Sequence, residues 1–333
     1  MTKLSKLKDI SSNSTFLLCI ILIAGILPRL VLLNNNPEIF LHNDGIEYKD
    51  IALQLSQGNG FSVSYYRWYE AIPDVKDQLH TDFSRPPILP LLGAGLFLLP
   101  FEWDICAKIT TLLLGILCSL SVYLLATEIF RNKKIGLLSA AIYTFYPYSI
   151  YYSISWASEN LFLFFLCMSW FFMIRSIHND LKIKDAVFCG GSLAFATLTR
   201  PQGAIMFLFI GLVALTAFFI NLKKSPHTAG KIFKVSLTFC LTALIFFVPW
   251  MIRNAIHTGI PSPFSFYGAY SFSQASSDVS YITYSYIDTP EYSEKTDAAW
   301  NKFHKEKTAE LKKIKYSIWL KRLHIGKNGL GNI

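Results

Sequence analysis

"ILPLLGAGLFLL", residues 88–99, decides how this chain folds. It is wholly apolar, closed in by Pro87 and Pro100, and contains Pro90. Its twelve residues would form a helix of about 18 Å, while a hydrocarbon core is roughly 30 Å thick. If this segment crosses a membrane, every later segment changes sides. If it does not, it lies along the surface or re-enters.

Seven further apolar runs surround it, at 16–33, 105–129, 135–153, 157–177, 186–199, 202–221 and 231–250. The chain has 333 residues, 52% hydrophobic and only 16% charged. A soluble protein of this length cannot bury that much apolar surface, so this is an all-α polytopic membrane protein. Lysine and arginine placement then settles segment 88–99. With a cytoplasmic N-terminus and no crossing at 88–99, the inner side collects 13 basic residues. These are Lys3, Lys6 and Lys8; Arg131, Lys133 and Lys134; Arg175, Lys182 and Lys184; and Lys223, Lys224, Lys231 and Lys234. The short outer loops near 155 and 200 hold only Arg200. A crossing at 88–99 would move the three interior clusters outside, against the positive-inside bias. The expectation is about seven transmembrane helices, N-terminus inside and C-terminus outside, with 88–99 as a juxtamembrane helix.

The net charge of +9 is therefore membrane topology, not a nucleic-acid patch. The six cysteines all sit inside apolar runs and none forms a CxxC, so disulfides and a structural zinc site are not expected. The N-terminal lysines followed by an apolar run resemble a signal peptide, but the run is long and lacks an A-x-A site, so it reads as an uncleaved first helix. Three parts follow: a cytoplasmic N-terminus 1–15, a membrane module 16–253 with an outer loop at 34–104, and an extracytoplasmic tail 254–333. In the tail, 293–322 has helical spacing of Trp300, Phe303, Leu311, Ile314 and Ile318 among lysines, fitting a surface-lying or solvated helix.

With that topology the unusual polar residues share the outer side. Asp44 and Glu47 lie in "NDGIEYKDIALQLSQGNGFS", Arg85 in "SRPPILP", Glu159 in "SWASEN", Arg200 in "LTRPQG" and Arg253 after "FFVPW". Charges beside a bilayer are costly, so their gathering calls for a function. A carboxylate can take a proton from an attacking hydroxyl, and guanidinium forks can hold a departing phosphate.

Each residue also has a plainer reading. Asn43-Asp44 can cap a helix, with Glu47 completing a capping box. Tyr48 reads first as a packing residue, with substrate contact as the alternative. The three arginines can snorkel or form ion pairs, and Glu159 can simply pair with one of them. Pro249-Trp250 reads as an interface anchor and helix stop. His42-x-Asp44 and His80-x-Asp82 are weak candidates for a divalent metal, since their spacing matches no standard site. Nothing requires a cofactor. Gly58 and Gly60 make a turn rather than a phosphate cradle, and no nucleophile elbow or Cys/His pair appears.

The order of "NDGIEYKDIALQLSQGNGFS", "SRPPILPLLGAGLF", "FATLTRPQG" and "VPWMIRNAIHTGIPSP" resembles the GT-C glycosyltransferases, which draw sugars from polyprenyl-phosphate carriers. That group includes protein O-mannosyltransferases and lipid A aminoarabinose transferases. The resemblance implies a seven-spanning module with a catalytic first outer loop, Asp44 as base, and Arg85 and Arg253 as carrier-phosphate contacts. It implies a hexosyl or pentosyl transferase of the plasma membrane acting on a glycan, lipid or protein hydroxyl. Two features depart from the pattern. Many relatives have an Asp-Glu pair where this chain has Asp44-Gly45, which shifts a second acidic role toward Glu47. Most relatives also continue through further spans, whereas this chain stops at "LHIGKNGLGNI". A lipid-linked sugar transporter and a non-catalytic partner subunit are the alternatives.

Overall fold

The structure, a computed structural model, describes residues 3–42, 44–64 and 79–265, together with Lys302 and Lys305. The tail helix expected at 293–322 lies outside the described residues, except that Lys302 and Lys305 are helical. The chain divides into two compact units. One comprises Met1–Phe61 with Asp82–Ser265, the other Ser62–Thr81 with Phe266–Ile333. In the second, strands β1 (Ser62–Val63) and β2 (His80–Thr81) pair antiparallel, with Ser62 opposite Thr81.

The first unit is helical throughout. Its helices are α1 (Lys3–Ala24), α2 (Ile26–Asn35), α3 (Asp44–Ser56), α4 (Ile88–Phe97), α5 (Trp103–Phe130), α6 (Lys133–Phe145), α7 (Pro147–Ile154), α8 (Ser158–His178), α9 (Ile183–Thr199), α10 (Ala204–Lys224) and α11 (Pro226–Thr258). All seven runs expected to cross are helical, but not all are long single helices. Five stretches have the length and hydropathy to span a bilayer: Asn13–Asn35, Trp103–Phe130, Ser158–His178, Pro201–Lys224 and Pro226–Thr258. The run at 135–153 breaks into α6 and α7 at Tyr146, because Pro147 cannot donate to a continuing ladder. The run at 186–199 becomes the 17-residue α9, about 25 Å long.

Helix α9 packs against both α8 and α11 and carries the most buried face of the bundle. Its small residues explain this. A methyl group on Gly190 would lie 2.5 Å from the Phe239 carbonyl oxygen, so α9 and α11 meet backbone to backbone. The outward faces of the bundle carry exposed Leu208, Ile245 and Ile256, as helices bathed in lipid do.

Segment 88–99 forms α4, ten residues long and too short to span. It lies against α3 and α5. Gly93 allows this, since a methyl there would come within 2.9 Å of the Ala52 methyl, and its carbonyl accepts a 3.0 Å bond from Trp103 Nε1. Trp103 stacks on Phe97 and meets the fully buried Trp156 edge to face at 5.0 Å. Trp156 donates its backbone N–H to Phe40 O at 2.8 Å, pinning the link before α8 to the chain that leads into α3.

Two details depart from sequence expectation. Pro249-Trp250 does not stop its helix. α11 runs through Pro249 and ends at Thr258, where Gly259 adopts a left-handed conformation and caps it. Proline costs one internal hydrogen bond, which membrane helices tolerate when neighbours compensate. The second is Arg29, a charge in the first apolar run that is 1% exposed. Its Nη1 donates to Gly25 O at 2.6 Å and Thr144 O at 3.0 Å, carbonyls at the α1–α2 junction and the end of α6.

Candidate active site

The Trp156 anchor sets the start of α3. Gly45 N donates to His42 O at 2.9 Å, and a methyl at Gly45 would meet Trp156 O at 2.9 Å. A side chain at position 45 would therefore have to displace that carbonyl. The first turn of α3 presents Asp44 and Glu47.

Both acids converge on Arg85. Its Nε donates to Glu47 Oε2 at 2.6 Å and its Nη2 to Asp44 Oδ1 at 2.8 Å. The guanidinium lies 5.3 Å from the centroid of the Tyr48 ring. Arg85 is thus shared across about forty residues of sequence by one helical turn. The two acids differ in access: the Asp44 side chain is 59% exposed, the Glu47 side chain 19% and Arg85 9%. Burial by itself would pull the Arg85 pKa down, but the carboxylates of Glu47 and Asp44 raise it and keep the group charged. Burial pushes the Tyr48 hydroxyl above its ordinary range, so this residue stays a neutral hydrogen-bonding group.

Asp82 prepares Arg85 for this position. Fully buried, its Oδ1 accepts from Ser84 N at 3.1 Å and Ser84 Oγ at 2.7 Å, and its Oδ2 accepts from Arg85 N at 3.0 Å. This is a side-chain turn that mimics a backbone one and fixes where the Arg85 stem starts. With its carboxylate so engaged, Asp82 forms the turn that leads into Arg85. No cluster of three or more histidines, cysteines, aspartates or glutamates placed to hold a metal occurs among the described residues.

A second basic group lies beside the first. Arg200 pairs with Glu159, and its Nη1 donates to Ser158 Oγ at 3.0 Å. Ser158 and Arg200 both lie close enough to the Tyr48 hydroxyl to oppose part of the upward pull of burial on its pKa. Asp44, Glu47, Arg85 and Tyr48 therefore adjoin Ser158, Arg200 and Glu159 in one polar network at one end of the bundle. Sequence reading found every member except Ser158, which has no signal beyond opening α8. His42 precedes this turn without joining an acid cluster, and the side chain of His80 lies outside the described residues.

Arg253 is arranged differently. Its Nη2 donates to Asp82 O and, at 3.3 Å, to Phe61 O, while Nη1 reaches Asn254 Oδ1 at 2.9 Å. The rings of Phe61, Phe83 and Trp250 surround it at 4.7–5.2 Å from their centroids. This is a cation held by carbonyls and aromatic faces behind the Asp82 turn. It supports Arg85 from the rear.

The first unit is thus a helical membrane bundle with acids and arginines gathered at one end. The chain matches the model of the dolichyl-phosphate-mannose-protein mannosyltransferase family over residues 84–252, just over half of its length, and belongs to that family. The match begins beside Arg85 and ends beside Arg253, taking in the Arg200–Glu159 pair. No curated protein matches the chain.

Proposed function

We propose that this chain transfers a hexose or pentose from a polyprenyl-phosphate carrier to a hydroxyl acceptor, on the extracytoplasmic face of the plasma membrane. Asp44 removes the proton of the acceptor hydroxyl as its oxygen attacks the anomeric carbon. The bond from that carbon to the phosphate oxygen breaks on the opposite side of the sugar, so configuration inverts. The electron pair stays on the carrier phosphate, whose growing charge faces the Arg85 fork. The leaving group needs no general acid, because it departs as an anion. Glu47, the less exposed acid, keeps Arg85 oriented. Arg200, held by Glu159 and Ser158, adds positive potential beside Tyr48.

The observation that carries this reading is the pairing of Arg85 with an exposed Asp44 and a shielded Glu47. One carboxylate is open to an acceptor while the other fixes the phosphate-binding fork. The test is mass spectrometry of surface glycans and lipid-linked sugars in cells carrying the wild type, Asp44→Asn, or no copy. One sugar should vanish from its acceptor in both defective strains while its lipid-linked donor accumulates. The lost mass would name the sugar. Restoration of the glycan by Asp44→Asn would sink the assignment.

A further inference from the structure

Far from the acid–arginine network, the bundle holds a cavity of about 570 Å³ enclosed by α8, α9, α10 and α11. Helices α8 and α10 begin at the network end, with Ser158 and Ala204, and finish at His178 and Lys224. The cavity occupies this other end. Its walls include Met173, Ile210, Ala214, Ile232 and Phe239. It exists because α10 presents Gly211, Ala214 and Ala217, each three residues from the next, and buries none of its own residues against its neighbours. Such small-residue faces ordinarily let membrane helices close together. Here they leave a gap, and an unfilled apolar gap forfeits dispersion contacts along its whole lining.

The depth of the gap defines its occupant. On α11 the lining runs from Thr228 to Cys240, about 18 Å of helix, close to one leaflet's half of a roughly 30 Å hydrocarbon core. Its mouth is basic. Arg175, Lys182, Lys184, Lys223, Lys224, Lys231 and Lys234 stand at this end of the four helices, against only Asp180 and Asp185. Arg175 pairs with Asp185 and Lys231 with Asp180. Lys182, Lys223, Lys224 and Lys234 have no ion-pair partner among the described residues. The Lys231 partner Asp180 is 82% exposed, so a phosphate can compete for that lysine. Ser176 Oγ, on a buried residue lining the cavity, has no hydrogen-bond partner among the described residues. Asp180 and Leu181, also in the lining, both hold φ of 58°, unusual for a bulky leucine and a mark of a constrained turn.

We propose that this cavity is a binding site for an anionic phospholipid of the leaflet opposite the reaction end. One acyl chain would lie between α10 and α11, with the headgroup phosphate at Lys231 and the lysines beside it. Basic pockets between membrane helices recognise such headgroups by charge, and the apolar slot adds chain burial. The lipid would hold α10 against the bundle in place of the packing its small residues do not make.

The test uses the full chain, purified and examined by native mass spectrometry with phosphatidylglycerol, phosphatidylcholine of the same acyl chains, or a polyprenyl phosphate. Phosphatidylglycerol should be retained over phosphatidylcholine by a factor on the order of ten. Gly211→Leu should abolish retention, because a side chain there meets nothing within 4 Å and grows into the slot. Lys231→Gln should erase the headgroup preference while keeping acyl binding, which makes the result independent of any folding defect in the first variant. Equal retention of both phospholipids overturns the proposal. So does phosphatidylglycerol binding unchanged by Gly211→Leu, or a preference for the polyprenyl phosphate, which would make the slot a berth for the donor's tail. None of these outcomes depends on whether Asp44 is a catalytic base.

Discussion

Arg85 and Arg253 are alike in sequence: each is an arginine a few residues from a proline of an apolar run, and each is a carrier-phosphate candidate by resemblance. Their surroundings separate them. Arg85 faces two carboxylates, one of them open, whereas Arg253 is bonded to backbone carbonyls inside three aromatic rings. We propose that Arg85, oriented by Glu47 beside the exposed Asp44, is the arginine that meets the donor phosphate. We propose that Arg253, bonded to carbonyls beside Asp82, serves mainly to hold that turn. The lesson is that an arginine's role follows from what shares it.

That contrast can be broken or sharpened by substitution. The largest expected effect is at Asp44, where Asn should cut transfer about 10²–10⁴-fold while leaving membrane insertion intact, as read by single-turnover transfer in proteoliposomes. Arg85→Lys keeps the charge but loses the fork, and should cost about 10²-fold in turnover, because a point charge cannot serve Glu47, Asp44 and a phosphate together. Gly45→Ala should lower thermal stability by about 1–3 kcal/mol and reduce activity with it, since its methyl must push against the Trp156 carbonyl.

Arg253→Lys should act mainly on stability, by about 1–2 kcal/mol, with donor KM changed only a few-fold. If it weakens donor binding as much as Arg85→Lys does, the division between the two arginines is wrong. Ser158→Ala should be mildest, about fivefold or less in kcat, through the one lost hydrogen bond from Arg200 to the Ser158 hydroxyl. A larger loss would mean that the two basic groups act as one unit.

Much of this was legible in the chain itself. The apolar runs announced helices, and the shortness of 88–99 announced a helix that does not span, because length against bilayer thickness is a one-dimensional property. The acids and arginines of the network were legible too, since charges beside apolar runs stand out. The break of 135–153 at Tyr146 was less so, though Pro147 marked it. Helix continuation through Pro249 was hidden, because whether a proline ends a helix depends on neighbours that the local sequence does not name. Arg29 was passed over for the same reason: its partners, Gly25 and Thr144, are carbonyls supplied by distant helix ends.

The sequence by itself determined that this is a helical membrane protein and which residues are chemically exceptional. Hydropathy and charge are local quantities, and the bilayer reads them one segment at a time. Packing settled which acid is open, which arginine faces acids and which is ringed by aromatics, that Ser158 holds Arg200, and that a side chain at position 45 must push on the Trp156 carbonyl. Those outcomes depend on distances of about 3 Å between residues tens to hundreds of positions apart, fixed by packing around Trp156 and the Asp82 turn rather than by anything adjacent in the chain.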